Sequence, residues 1–299
     1  MPRLWRIDML SENVSILQYK IGVWGAEKTE RSISDEVCEN AQADKKAGKF
    51  VKSLLGGKCE ELKAIQNFAQ LSRINIRNMS LPYNSGAVMV PNAKLMEVLE
   101  NLKAIEETFK GLVDNFIRAY PEIVERARER SASLFKEGQC PSAEEVRSKF
   151  SFNYYLEPLP NSNSFDKALG LDTIKEKMKG DLESQIERVF KHAEYELEQR
   201  LLDRARQFYE RLNSDSTRKI SSKFFSGNTT IISGVRSLNV RGSTTISELA
   251  DTLSEINKNG EYYLNPLNRE EALGKLRQIL GIFQSQPINE ELESALARL

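Results

Sequence analysis

The chain has 299 residues, with 43 Lys plus Arg balanced by 43 Asp plus Glu, so its formal net charge is zero. With 29% charged and 40% hydrophobic residues it is too charged for a membrane protein and too apolar for a wholly disordered one. No apolar stretch approaches the roughly 18 residues that a bilayer crossing needs, and Met1-Pro2-Arg3-Leu4-Trp5-Arg6 leads into no signal core. The widely spaced Cys38, Cys59 and Cys140 read as free thiols in a reducing compartment. The expectation is a cytoplasmic protein with no membrane partner.

In chain order, Val14 to Trp24 carries β-branched and aromatic residues with polar ones between them, which predicts a strand stopped at Gly25. Glu27 to Lys49 is polar enough for short helix and loop. From Lys49 to Arg77, Phe50, Leu54, Cys59, Leu62, Ile65, Phe68, Leu71 and Ile74 predict a helix, broken or kinked at Gly56-Gly57. Leu81 to Gly86 reads as a turn and Ala87 to Val90 as a short strand ended by Pro91.

Asn92 is a candidate cap for the series Leu95, Leu99, Leu102, Ile105, Phe109, Leu112, Phe116 and Tyr120. Pro121 should kink that helix, which resumes to about Phe135. Ser142-Ala143-Glu144-Glu145 is a capping box for a short helix. Phe150 to Leu156 alternates as a strand expected to pair with the first one, and Asn161 to Ser164 is loop.

The longest periodic run goes from Ile174 through Met178, Leu182, Ile186, Val189, Ala193, Leu197, Leu201, Ala205 and Phe208 to Leu212, a helix roughly 58 Å long at about 1.5 Å per residue. Two long helices from one chain pack most economically as an antiparallel hairpin. After Leu212 the composition becomes rich in Ser, Thr, Gly and Asn. Thr245-Ile246-Ser247-Glu248 is a further capping box, Asn259-Gly260 ends its helix, Asn268 caps a last one, and Pro287 to Leu299 reads as a short helical turn. The expected fold is therefore mainly α with a small β element. A long antiparallel helical hairpin with its sheet would occupy residues 1–213, a basic Ser/Thr/Gly-rich connection 214–243, and a C-terminal helical unit 244–299.

Enzymatic chemistry finds little to work with. His192 is the single histidine. The dimetal bundles need Glu-x-x-His, and position 189 is valine. The cysteines offer no Cys-x-x-Cys pair for zinc. Gly56-Gly57-Lys58 suggests a P-loop, but Lys52 and Cys59 stand where glycine and a magnesium-binding hydroxyl are required. No nucleophile elbow or dinucleotide fingerprint is present. The expectation is a non-enzymatic protein with no catalytic residue, cofactor or metal, acting by assembly on itself or on another protein.

One local feature points elsewhere. Arg218, Lys219, Lys223, Arg236 and Arg241 lie between Asp215 and Glu248 with no acid among them, beside Phe224, Phe225 and Asn228. Positive charge draws phosphate and aromatic faces stack on unpaired bases, so single-stranded nucleic acid is the alternative partner. Against it stands an ordinary polar connection whose Phe224 and Phe225 pack on the core.

Several segments together resemble an uncharacterised family from bacteriophages and prophages. They are Ile21-Gly22-Val23-Trp24-Gly25, Leu81-Pro82 with Gly86 before a Val-x-Val-Pro turn, and Tyr120 in its helix. The most specific is Pro141-Ser142-Ala143-Glu144-Glu145-Val146-Arg147-Ser148-Lys149-Phe150-Ser151-Phe152, followed by Pro158, Pro160, Phe165 and Leu238-Asn239. The resemblance runs from about residue 14 to 280. It departs at the C-terminus and in a shorter Ser-rich stretch before residue 220. It brings no catalytic residues, and it implies a phage-encoded protein in a bacterial host cell, in the company of a ring ATPase or of phage DNA metabolism.

Overall fold

A bias toward β-branched residues from Val14 onward produces β1 (Val14–Gly22), in which Val14, Ile16 and Leu17 are buried. The structure is a computed structural model that describes residues 13–44, 46–57, 59–160, 172–214 and 219–284. After β1 come β2 (Glu27–Thr29), α1 (Arg31–Asn40), β3 (Val51–Ser53), α2 (Glu60–Asn78), β4 (Leu81–Asn84) and β5 (Ala87–Pro91). Then follow α3 (Leu95–Ser131), α4 (Ala143–Arg147), β6 (Ser151–Pro158), α5 (Asp172–Asn213), α6 (Ser222–Leu238), α7 (Thr244–Ile256) and α8 (Pro266–Gln284). The protein is mainly helical. Four strands form one sheet in the order β4-β5-β1-β6, so β6 neighbours β1 as expected, and β2 pairs with β3 in a second, two-stranded sheet.

The expected turn at Leu81–Gly86 is itself half of a hairpin. β4 runs antiparallel to β5, with Leu81 opposite Met89 and Pro82 opposite Val88, and the register shifts before Asn84 meets Ala87. Pro82 is tolerated because β4 is an edge strand, where a missing N–H breaks no ladder. Gly86, at φ +100°, makes the tight reversal. The helix expected from Lys49 begins only at Glu60. Val51–Ser53 pairs instead with Glu27–Thr29, and Gly56 at φ +71° forms the turn between strand and helix. A β-carbon at Gly56 would also stand 3.3 Å from Ala127 Cα, so no other residue fits there without strain.

Pro121 lies inside one continuous α3. The capping box at α4 forms as read: the Glu145 N–H donates to Ser142 Oγ at 3.2 Å, and the Ser142 N–H donates to Glu145 Oε2 at 2.8 Å. Two other caps are displaced. α7 starts after Ser243 instead of at Thr245, its entry held by Asn239, whose side chain accepts from the Ser243 N–H and donates to the Ser243 carbonyl. α8 starts at Pro266, whose fixed φ suits a first helical position, and Asn265 Oδ1 accepts from the Leu267 N–H. Asn268 donates to the Tyr262 carbonyl instead of capping. The expected loop at 161–164 and the turn at 287–299 lie outside the described residues.

The chain divides into two compact units. The first comprises residues up to Ile16, Arg77–Leu95 and those from Glu157; the second comprises Leu17–Ile76 and Met96–Leu156. In the second unit α2 buries Leu62, Ile65, Ala69 and Ile76, and α3 buries Leu102, Phe109, Val113, Phe116 and Tyr120. Trp24 meets Tyr120 edge-on at 6.2 Å, and Phe116 meets Phe150 at 5.7 Å.

In the first unit α5 is the axis. Ile186, Phe190, Ala193, Leu197, Leu201, Ala205, Phe208 and Leu212 are all buried at three- and four-residue steps. The expected hairpin partner was α3. The seam of α5 is covered instead by α6, α7, α8 and β4, while α3 belongs to the second unit. Arg269 of α8, itself buried, donates to the carbonyls of Leu212 at 2.6 Å and Ser214 at 2.7 Å, satisfying acceptors at the end of α5.

The reason for the changed partner is α6. Its Phe225, Ile232, Val235 and Leu238 face inward at helical spacing. Its hydroxyls turn back onto their own helix: Thr229 donates to the Phe225 carbonyl, Thr230 to Ser226, Ser233 to Thr230 and Ser237 to Gly234. A composition that reads as a polar connection thus satisfies itself within a helix. Buried Asn228 ties α6 to the end of α7. Its amide donates to Asn257 Oδ1 at 3.0 Å, and Asn257 in turn donates to the Phe225 carbonyl at 3.1 Å.

Asn257→Ala strips Asn228 of its acceptor in a dry site and should cost about 1–3 kcal/mol in urea unfolding. Glycines provide a second check. A β-carbon at Gly260 would overlap the backbone carbonyl of Ile220, whereas Gly111, exposed in the middle of α3, has nothing within 4 Å. Gly260→Ala should lose more than roughly 2 kcal/mol. Gly111→Ala should gain about 1 kcal/mol.

Candidate functional site

The basic segment is the place to test first, residue by residue. Arg218 lies outside the described residues. Lys219 precedes α6 and pairs with Glu261 at 2.8 Å. Arg236, in the last turn of α6, pairs with Asp251 of α7 at 2.5 Å. Arg241 reaches α5, where Glu187 lies at 3.2 Å and Glu194 at 3.6 Å, and its guanidinium sits 6.0 Å from the centre of the Phe190 ring. Phe225 is buried and stacked on Tyr263 with ring centres 6.0 Å apart. Three of the predicted cations are thus matched to carboxylates inside the first unit, and one predicted stacking ring is in its core. Lys223 and the half-buried Phe224 remain at the surface.

What the sequence reading missed is what meets Phe224. Arg204 and Arg211 of α5 place their guanidinium carbons 5.2 and 5.9 Å from the centre of its ring. Arg204 also donates to Gln207 at 2.6 Å, while its Nε is buried without an acceptor. Burial pushes the Arg204 pKa down. The signal was the seven-residue spacing of the two arginines, which places them on one face of α5. It carried no meaning until the segment opposite proved to be a helix.

Beside Arg241 is a cavity of about 10 Å³ lined by Leu81, Phe190, Leu197 and Leu238 with Glu194. That is the limit for one water and excludes an organic ligand. Burial raises the carboxyl of Glu194, and Arg241 opposes the rise. Burial also raises that of Glu198, one turn along α5, and the charge on Glu194 adds to it.

The second unit holds a different cluster. Buried Lys52 of β3 donates to the Leu134 carbonyl and, at 2.6 Å, to Gln139. Lys136 donates to Glu30 at 3.1 Å and holds its carboxyl below the usual range. These contacts tie the stretch after α3 onto β3 and the start of α1. The three cysteines are free thiols as expected, and burial pushes the thiols of Cys59 and Cys140 up, away from the nucleophilic thiolate.

A pH dependence follows from Glu198. A carboxyl raised in the folded state disfavours the folded state once ionised, so stability falls as pH rises from the ordinary glutamate range through the raised value. Glu198→Gln removes that penalty. It should melt higher than the parent at pH 7, and the two curves should converge below the ordinary glutamate range, as read by thermal unfolding across pH.

Comparison with known proteins adds one match. The family model described as a protein of unknown function (DUF3150) matches residues 11–269, close to the span of the resemblance traced along the sequence. No curated protein and no solved structure matches the chain. The family match runs over most of the 299 residues, and the chain belongs to the DUF3150 family of proteins of unknown function.

Proposed function

We propose that the protein works by assembly, without chemistry of its own, and that its first contact is with a second copy of itself. One observation carries this reading. Tyr262, Leu264 and Leu267 leave 38, 50 and 80% of their surfaces exposed within six residues of chain. The backbone that presents them is held in place. Tyr263 between them is buried, Asn265 accepts from the Leu267 N–H, and Asn268 donates to the Tyr262 carbonyl. Large apolar side chains held outward on a fixed frame mark interaction surfaces.

The alternative role, in which residues 218–241 bind single-stranded nucleic acid, is disfavoured because Lys219, Arg236 and Arg241 already face carboxylates. The setting that the phage resemblance implies, a bacterial host cell with a ring ATPase nearby, belongs to this proposal and rests on that resemblance.

The test is light scattering of the full chain at high micromolar concentration, beside Leu264→Asp with Leu267→Asp. The parent should exceed the 34.1 kDa of one chain and the variant should return to it. A monomeric parent, or a variant that assembles as the parent does, overturns self-assembly through this surface. Pull-downs with both proteins from infected cells, read by mass spectrometry, then test the ring ATPase.

A further inference from the structure

We infer that the surface around Phe224 is a binding site for a phosphate group, built by Arg204 and Arg211 of α5 with Lys223 of α6. The site is not the one read from the sequence: of the six residues singled out there that are among the described ones, only Lys223 and Phe224 take part.

Three observations converge. The first is uncompensated charge. Arg204 and Arg211 flank one aromatic ring, at 5.2 and 5.9 Å from its centre. Among the described residues neither has a carboxylate partner, although the neighbouring Arg206 has one in Asp203 at 2.6 Å. Lys223 is likewise exposed and without one. The balanced composition of the chain makes this local excess a matter of placement, since acids are available elsewhere on α5.

The second is the position of these charges on α6. Lys223 and Phe224 lie in its first turn, where the helix dipole is positive, yet that turn holds no acidic residue and Ser221 supplies no side-chain cap. A lysine there adds like charge to the positive end of the helix. An anion resolves the conflict, and backbone N–H groups at a helix start are suited to it.

The third is space. Lys223 and Gly227 are one turn apart and so are neighbours on the helix surface. A β-carbon at Gly227 would stand 2.9 Å from Arg204 Nη2. Arg204 Nη2 thus lies close against α6 at Gly227, and the buried Arg204 Nε still lacks an acceptor.

The ligand chemistry follows from the donors. Two planar guanidinium forks and one ammonium suit a tetrahedral dianion with several oxygens better than a single carboxylate. Phe224 already has both guanidinium groups against it and makes T-shaped contacts with Phe208 and Phe225, so the ring anchors the arginines and is not a platform for a base. The phosphate can come from a small phosphorylated molecule or from the backbone of a strand.

The experiment uses the full chain. Inorganic phosphate is titrated by calorimetry, against chloride at matched ionic strength, and a labelled oligothymidylate is titrated by anisotropy at several salt concentrations. Arg211→Gln and Lys223→Gln, both at exposed positions, should each weaken phosphate binding at least fivefold, while Arg236→Gln leaves it unchanged. Arg204→Gln should abolish binding; should that variant not fold, the two exposed variants carry the test. Strand binding with a log–log salt slope of about −2, from three contacts at roughly −0.7 each, assigns the phosphate to a nucleic-acid backbone. Phosphate binding without strand binding assigns it to a small ligand. The proposal is overturned if phosphate binds no better than chloride, if Arg211→Gln and Lys223→Gln bind as the parent does, or if polyglutamate competes as well as phosphate.

Discussion

Phe208 is the point on which the first unit depends. It is 1% exposed, and three rings meet it edge-on: Phe224 at 5.3 Å, Phe225 at 5.9 Å and Tyr263 at 5.8 Å. Phe208 is on α5, Phe224 and Phe225 are in the first turn of α6, and Tyr263 is in the short 3-10 turn (Tyr262–Leu264) between α7 and α8. Edge-to-face contact of this kind is directional, so it fixes how the elements approach as well as excluding water. Once Phe224 and Phe225 are held against α5, the chain between them and Leu238 has a buried stripe to follow. The helix then forms in spite of its Ser, Thr and Gly content. The aromatic residues that suggested a nucleic-acid platform are in this sense the cause of the helix.

The same packing decides which charges are free. Arg236 and Arg241 sit at the far end of α6, where α7 and the middle of α5 supply Asp251, Glu187 and Glu194. Arg204 and Arg211 lie at the aromatic end, where both meet the Phe224 ring and Arg204 also lies close to Gly227. A chain with zero net charge can therefore carry a local cationic face, because charge balance is a property of composition while field is a property of arrangement. The half-buried glutamates Glu194 and Glu198 are the counterpart on α5: burial resists their ionisation, and Arg241 relieves the first of them.

The helical periodicities of α3 and α5, the pairing of β6 beside β1 and the capping box at α4 were legible in the sequence, since each is a local pattern with one physical meaning. The partner of α5 was not. An apolar stripe such as Leu197, Leu201 and Ala205 states that something must cover it, without stating what, and the nearest long stripe in sequence was α3. The hydroxyl-rich α6 was illegible for a related reason. Ser and Thr favour turns when their side chains compete for backbone groups, but the same side chains are neutral when they bond to carbonyls one turn back, as Thr229, Thr230 and Ser237 do. The two-stranded β2–β3 sheet was hidden by its brevity, three residues on each side, with Lys28 opposite Lys52. For the candidate site, Lys223 and Phe224 were visible, but Arg204 and Arg211 gained meaning only from the helix that packs across them.

The aromatic hub also explains why the apolar side chains at Tyr262, Leu264 and Leu267 stay outside. Tyr263 is anchored from two directions: its ring stacks on Phe225 with an interplanar angle of 9°, and its hydroxyl donates to the carbonyl of Ile256 at the end of α7. With Tyr263 turned inward, the residues on either side of it are turned outward, and Asn265 then commits the chain to α8 before Leu267 can fold back. A free loop would pay conformational entropy to present such a surface to a partner, whereas this one is ordered before contact, which lowers the ordering cost of association. Cationic face and apolar edge thus meet at the same cluster of rings, Phe224 leading to the one and Tyr263 to the other. A substitution at Phe208 would loosen both together, while substitutions at Arg211 or Leu264 would address each alone.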